Sequence, residues 1–113
     1  MTSILTTGQA LSVDQSLTSP NGRFALTLQA DGNLVLHTGS TALWTSQTAG
    51  RYAVQDVIMQ GDGNFVMYDN SGHPIWSSGS ATQDAISPYI QIQDDGNLVV
   101  YAIHSLWATN TGT

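Results

Sequence analysis

The sequence "LQADGNLVLH" at residues 28–37 recurs as "MQGDGNFVMY" at 59–68 and as "IQDDGNLVVY" at 92–101, and this internal repeat governs the fold. The copies align on Gln29, Gln60 and Gln93, with a period just over thirty residues. A Trp followed by small, mostly hydroxyl-bearing residues comes after each copy: "WTSQT", "WSSGS" and "WATNT". Apolar residues within the copies alternate at a spacing of two, which is typical of strands. The chain is therefore predicted to be all-β, with three equivalent units.

Each copy is predicted to form a β-hairpin, because Asp-Gly flanked by alternating apolar residues is a strong hairpin signal. In the first copy, a loop of Ala30, Asp31 and Gly32 fits a type I turn closed by a left-handed residue, which favours glycine. Alternation then separates an inward face from an outward one. The predicted inward residues are Leu26, Leu28, Leu34 and Leu36, then Val57, Met59, Phe65 and Met67, then Ile90, Ile92, Leu98 and Val100.

The outward faces bring amide, carboxylate and phenol groups together around a Val. Such groups donate and accept hydrogen bonds in fixed directions, which suits hydroxyl groups that do both. The pattern therefore predicts recognition of a polyol. The candidate binding residues from this pattern are Gln60, Asp62, Asn64, Val66 and Tyr68 in the second copy, and Gln93, Asp95, Asn97, Val99 and Tyr101 in the third.

Composition excludes several classes of partner. With two basic residues and a formal charge of −6, the chain lacks the positive surface that phosphates require, so we expect neither nucleic acid nor anionic membrane as a partner. The absence of Cys excludes disulfides and thiolate metal sites. No basic region or long apolar run follows Met1, so we expect no membrane insertion, and a chain that is cytoplasmic at synthesis or released without a visible signal peptide.

The pattern Gln-X-Asp-X-Asn-X-Val-X-Tyr, repeated with a Trp after each copy, resembles the monocot mannose-binding lectin family, also called bulb-type or snowdrop-type lectins. The resemblance implies a single domain over residues 1–113 with the β-prism II fold, in which three four-stranded antiparallel sheets surround a pseudo-threefold axis. It also implies a non-catalytic lectin that binds α-mannose and mannose-terminated glycans at up to three sites, without a metal or other cofactor.

The resemblance assigns a role to each candidate binding residue. The family's Asp and Asn bond the sugar O2, its Gln bonds O3, its Tyr bonds O4 and its Val contacts the ring. The first copy supplies the same roles through Gln29, Asp31, Asn33 and Val35, but His37 replaces the Tyr. That site is expected to be weakened, the alternative being a solvated His37 beside a site that no longer binds sugar. The family commonly exchanges its C-terminal strand between subunits, so we expect a homodimer in which residues from Trp107 to Thr111 complete a partner's sheet.

The turn triplets and the tryptophans also have simpler structural interpretations. Asp-Gly-Asn triplets are favoured in turns for their own sake, but turn chemistry does not explain the Gln before and the Tyr after them. Trp44, Trp76 and Trp107 are expected to pack in the core near the axis, the alternative being platforms on which sugars stack.

No metal site is predicted. His37, His73 and His104 are scattered along the chain without a second ligand at a metal-binding spacing. The Asp94-Asp95-Gly96-Asn97 turn lacks the Glu that completes a calcium loop of the EF-hand type.

Two further functions remain open: a β-prism scaffold that has lost sugar binding and acts through protein contacts, and a glycan-directed enzyme or inhibitor. Glycosidases need two carboxyl groups about 5 Å or roughly 6.5–9.5 Å apart. Each copy offers one Asp, apart from Asp94 and Asp95, whose side chains are expected to diverge. We therefore predict no catalytic residue.

Overall fold

Each copy of the repeat forms an antiparallel hairpin extended by a third strand. The structure, a computed structural model, describes residues 2–50, 53–82, 85–102 and 105–109, and for 105–108 it describes the backbone alone. The strands are β1 (Ile4–Thr6), β2 (Ala10–Ser12), β3 (Ser16–Thr18), β4 (Ala25–Leu28), β5 (Leu34–Thr38), β6 (Thr41–Thr45), β7 (Val54–Met59), β8 (Phe65–Asp69), β9 (Pro74–Ser77), β10 (Tyr89–Ile92), β11 (Leu98–Tyr101) and β12 (Ser105–Ala108).

The strands build three four-stranded antiparallel sheets, which confirms the predicted fold class. Their orders are β3-β4-β5-β6, β2-β7-β8-β9 and β1-β10-β11-β12. In each sheet the two central strands and one outer strand come from a single repeat. The fourth strand comes from the N-terminal segment, whose strands β1, β2 and β3 each pair with a different sheet.

That segment was not assigned by the repeat analysis, although it has a shorter period of its own. Leu5, Leu11 and Leu17 recur every six residues and are buried, one on each N-terminal strand. The two turns between these strands are alike: the side chain of Gln9 accepts a hydrogen bond from the Thr6 amide, and Gln15 accepts one from Ser12, both at 2.9 Å. The segment thereby adds one strand and one leucine to every sheet.

The core consists of the predicted inward faces. All twelve predicted inward residues are fully buried, and they form one cluster with the three N-terminal leucines and Phe24. Burial of this kind stabilises by about 1.5–3 kcal/mol for each large aliphatic side chain. The alternation read from the repeat is therefore the alternation that builds the core.

The tryptophans of the first two repeats pack at this core, as predicted. Trp44 pairs with Leu36 across β5 and β6, and Trp76 pairs with Met67 across β8 and β9. Both rings are half-buried, and they meet edge to face with centroids 5.3 Å apart. The backbone of Trp107 pairs with Val100 in the equivalent place, but its side chain lies outside the described residues, as does His104.

Candidate functional site

The hairpin loops of the three copies share one geometry. Gly32, Gly63 and Gly96 have φ values of 89°, 90° and 87°, the left-handed conformation predicted for the end of the loop. In the first copy, the Gln29 amide donates to the Asn33 carbonyl at 2.9 Å, and the Gly32 amide donates to the Gln29 carbonyl at 3.0 Å. The loop therefore sets the Gln, Asp and Asn of each copy at fixed positions.

The Asp of each loop holds the backbone of the Asn two residues later. Oδ1 of Asp31, Asp62 and Asp95 accepts a hydrogen bond from the Asn amide at 2.9, 3.0 and 2.9 Å, respectively. This is the Asx-turn that the simpler interpretation anticipated. In the second copy, this turn occupies Oδ1 of Asp62, so Oδ2 is the oxygen that can accept a hydrogen bond from a ligand.

The Asn side chains are oriented by hydroxyl groups that follow each Trp. Asn64 Oδ1 accepts from the Gly79 amide at 3.0 Å, from Ser78 Oγ at 3.2 Å and from the Ser80 amide at 3.3 Å. Because backbone N–H groups only donate, Oδ1 must face them, and Nδ2 is the atom left to donate outward. Asn33 Oδ1 is held likewise by Ser46 and Thr48, and Asn97 Oδ1 by Thr109.

Sequence reasoning missed the role of these hydroxyl residues, although their recurrence after each Trp was visible. Ser78 Oγ also accepts from the Phe65 amide at 3.0 Å and bonds Ser80 Oγ at 2.7 Å, while Ser80 donates to the Gly63 carbonyl at 2.6 Å. The same bonds recur at Ser46 and Thr48. The segment after the Trp is thus hydrogen-bonded to the backbone of the hairpin loop and holds that loop in place.

In the second and third copies, the Gln and the Tyr are bonded to each other. Gln60 Nε2 donates to the Tyr68 hydroxyl, and Gln93 Nε2 donates to the Tyr101 hydroxyl. A bulge between Met67 and Tyr68 re-aims that phenol, and one occurs at the same place in the third copy. The phenol hydrogen and the Gln Oε1 are then available to donate to and accept from neighbouring hydroxyl groups of a ligand.

The first copy differs because His37 bonds elsewhere. Its Nδ1 lies 3.0 Å from the Gly39 carbonyl, and its Nε2 lies 3.0 Å from Thr27 Oγ1. A carbonyl only accepts, so Nδ1 carries a hydrogen, and Thr27 engages the other nitrogen. Within the described chain, the Gln29 side chain makes no hydrogen bond. The first site therefore lacks both the phenol and the bond that orients its Gln.

The Val of each site is far more buried than its outward position suggested. Val35, Val66 and Val99 are only 6%, 4% and 3% exposed. In the first copy, Gln29 and His37 flank Val35 in a pocket of about 230 Å³, which Gly39, Ser40 and Ala42 complete. Val35 therefore forms the floor of a small depression and offers a ligand a narrow apolar contact, and Val66 and Val99 are buried to the same degree.

The Asp pair of the third loop points in two directions, as expected. Asp94 Oδ1 accepts from the Asn21 amide at 2.8 Å, whereas Asp95 Oδ1 accepts from the Asn97 amide within its own loop. Within residues 2–50, 53–82, 85–102 and 105–109 there is no group of three or more metal-binding side chains. The same residues include no helix of the length and apolarity that a membrane crossing requires.

Comparisons with known proteins find related lectins. No protein-family model matches the chain. The B-type lectin plumieribetin of Scorpaena plumieri is 36% identical over 85 residues, which cover 75% of this chain and 74% of plumieribetin. Mannose-specific lectin 2 of Colocasia esculenta is 34% identical over 109 residues, which are 96% of this chain but 40% of that lectin.

Solved structures resemble the fold along nearly the whole chain. Monomeric monocot mannose-binding lectins from Gastrodia elata align with a TM-score of 0.90 and 33% identity, covering 99% of this chain and 100% of theirs. The mannose-specific agglutinin of snowdrop (Galanthus nivalis) bulbs, complexed with methyl-α-D-mannoside, aligns with a TM-score of 0.80 and 35% identity, covering 98% of both chains. The three repeats, the three sheets and these similarities show that the chain belongs to the monocot mannose-binding, or bulb-type, lectin family.

Proposed function

We propose that the protein is a lectin that binds terminal α-mannose at its second and third sites, with a weaker first site. The observation that carries this proposal is the matched arrangement of the two sites: each has an Asn with its Oδ1 tied inward, and a Gln bonded to a Tyr. Membership in this lectin family confirms the prediction that the chain is not an enzyme. The mannose-specific names of its relatives support the choice of sugar.

Each competent site offers a sugar donors and acceptors in alternation. In the second site, Asn64 Nδ2 and the Tyr68 hydroxyl donate, while Asp62 Oδ2 and Gln60 Oε1 accept. A hydroxyl group both donates and accepts, so neighbouring hydroxyls of one ring can bond across this set. The floor at Val66 contacts C–H groups of the ring. The protein's internal bonds hold these groups in place before the sugar arrives, which lowers the entropic cost of binding.

The affinity of a single site is expected to be weak. A few hydrogen bonds worth about 1 kcal/mol each support a Kd on the order of 1 mM. Several sites on one particle would raise the avidity for a branched glycan well above that value. Two competent sites in one chain already allow this effect when their spacing matches that of the glycan termini.

The proposal is tested by calorimetric titration of methyl α-mannoside into the wild type and into Asn64→Asp/Asn97→Asp. The Asp substitutions keep Oδ1 for the inward bonds but replace the outward donor with an acceptor. We expect the variant to fold normally and to lose at least most of the binding. Equal binding by both proteins would reject these sites, and no binding by the wild type would favour a scaffold that acts through protein contacts.

The homodimer stays a prediction. In the structure β12 pairs with β11 of the same chain, and an exchanged dimer would make the same pairs with a partner's β11. Asn110 and Thr111, at the end of the segment predicted to exchange, lie outside the described residues. The Gastrodia lectins are described as monomeric, which supports the alternative. Light scattering that gives twice the 12.0 kDa chain mass would support the dimer, and a single chain mass at high concentration would reject it.

A further inference from the structure

A second pocket, of about 410 Å³, contains none of the candidate binding residues, although Gly61 in its wall stands between Gln60 and Asp62 of the second site. It is lined by Thr6, Thr7, Gly61, Ser87, Pro88 and Tyr89. Its volume falls within the range of pockets that bind small ligands. Its walls come from three parts of the chain: the turn after β1, the loop of the second hairpin and the segment that enters β10.

The pocket adjoins the third site through a stacked pair of tyrosines. Thr6 pairs with Tyr89, and Tyr89 pairs with Tyr101, on neighbouring strands β1, β10 and β11. Directly opposed residues of antiparallel strands share one face of a sheet. The rings of Tyr89 and Tyr101 stack with centroids 5.5 Å apart and an interplanar angle of 28°. One aromatic ring therefore separates the pocket from the phenol of the third site.

The walls of the pocket are held in place by hydrogen bonds between the segments. Thr7 Oγ1 donates to the Pro88 carbonyl at 2.8 Å, and the Gly8 amide donates to the Met59 carbonyl at 2.8 Å. Ser87 has a φ of 47°, a left-handed conformation that is strained for a residue other than glycine. Such strain persists where the surrounding structure fixes it, and it concentrates at functional sites.

The features that open this pocket do not recur in the other copies. Where the third copy has Tyr89 opposite Tyr101, the first has Ala25 opposite His37 and the second has Asp56 opposite Tyr68. The loop position held by Gly61 is held by Asp94 in the third copy. Asp94 is bonded to the Asn21 amide at 2.8 Å, and its carbonyl accepts from Asn21 Nδ2 at 3.1 Å. Asn21 thereby fills the space beside the third loop. The corresponding space beside Gly61 in the second loop stays open, because glycine has no side chain.

We propose that this pocket is an accessory subsite of the third site and takes the second sugar residue of a mannose-terminated glycan. An aromatic ring with hydroxyl groups around it suits a sugar, because the ring attracts C–H groups while Thr and Ser hydroxyls bond the sugar's own. The inference rests on the proposed function, since the terminal mannose occupies the third site. The subsite makes the third site selective for a disaccharide, while the first and second sites bind a single sugar unit.

The test uses Asn33→Asp/Asn64→Asp, in which only the third site keeps its outward Asn donor. Methyl α-mannoside and the α1,2-, α1,3- and α1,6-linked mannobioses are titrated separately by calorimetry. At least one mannobiose should bind about fivefold more tightly than the monosaccharide, as one or two added contacts of ordinary strength would produce. Amide signals of Thr7 and Ser87 should shift with that mannobiose and stay unchanged with the monosaccharide.

A blocking variant and its matched control locate the effect. Gly61 has no positive φ, and a Cβ built on it would lie 3.4 Å from Thr7 Cγ2, an ordinary contact. Added to the Asn33→Asp/Asn64→Asp protein, Gly61→Gln should therefore fold, fill the pocket and erase the preference for the mannobiose without changing monosaccharide binding at the third site. Gly61→Ala in the same background should keep the preference. Equal affinity for all four sugars, or a preference that survives Gly61→Gln, would overturn the subsite. Failure of methyl α-mannoside itself to bind would overturn the proposed function and the subsite with it.

Discussion

Replacing His37 by Tyr should restore the first sugar site. In the structure, Thr27 Oγ1 and the Gly39 carbonyl engage both imidazole nitrogens, so neither nitrogen is directed at Gln29. A phenol at this position would accept from the Gln29 side chain, as Tyr68 does from Gln60, and its hydrogen would point to the sugar. The gain of one hydrogen bond to the sugar is about 0.5–1.5 kcal/mol, which corresponds to a roughly twofold to tenfold gain in affinity.

The assay needs a protein in which the other two sites are silent. Methyl α-mannoside is titrated into Asn64→Asp/Asn97→Asp and into the same variant carrying His37→Tyr or His37→Phe. The Phe protein is the matched control, since it loses the imidazole contacts and fills the same space without a hydroxyl group. We expect the Tyr protein to bind more tightly than both others. If the Tyr protein binds no better than the Phe protein, the hydrogen-bond explanation of the first site is wrong.

Three further predictions concern metal independence, the support of the second site and acid stability. Dialysis against EDTA should leave mannoside binding unchanged, and binding that is lost and then restored by calcium would contradict the proposed chemistry. Ser78→Ala should lower the unfolding free energy by about 1–3 kcal/mol in urea titrations, because the Phe65 amide loses its buried partner, while the exposed Ser77→Ala serves as the neutral control. Hydrogen bonds from the His73 and Ser71 amides hold the pKa of Asp69 below its ordinary value of 3.8, so this carboxylate stabilises the fold above that pH and the contribution is lost as pH falls through the lowered pKa. Wild type and Asp69→Asn should therefore differ in stability near neutral pH and converge at about pH 2, and a constant difference would argue against this linkage.

The hairpins and the core were predictable because their signals are local. Alternation around each Asp-Gly assigned residues such as Leu28 and Leu34 to the inward face, and the left-handed Gly32 followed from the length of the loop. The three N-terminal strands were not predicted, because a three-residue strand with one buried Leu is too short for its alternation to repeat. Their six-residue period was visible in the sequence, but their pairing with three distant sheets depends on contacts far apart along the chain.

The candidate site was predictable in its membership and less so in its geometry. A repeat identifies which side chains recur, such as Asn64 and Tyr68, but it cannot say which atom of an amide faces inward. That orientation comes from Ser78 and Gly79, which follow strand β9 and lie outside the hairpin. The partners of His37 are Thr27 and Gly39, neither of which belongs to the repeated motif, so its departure from the site required the structure.

Mannose is expected to bind through the outward Nδ2 groups of Asn64 and Asn97. The most direct test is an NMR titration of the wild-type protein with methyl α-mannoside, in which the side-chain amide signals of all Asn residues are followed. We expect saturable shifts for Asn64 and Asn97, smaller or later shifts for Asn33, and none for Asn70, which lies at the turn between β8 and β9. Saturable shifts elsewhere on the protein, with those of Asn64 and Asn97 unmoved, would contradict it.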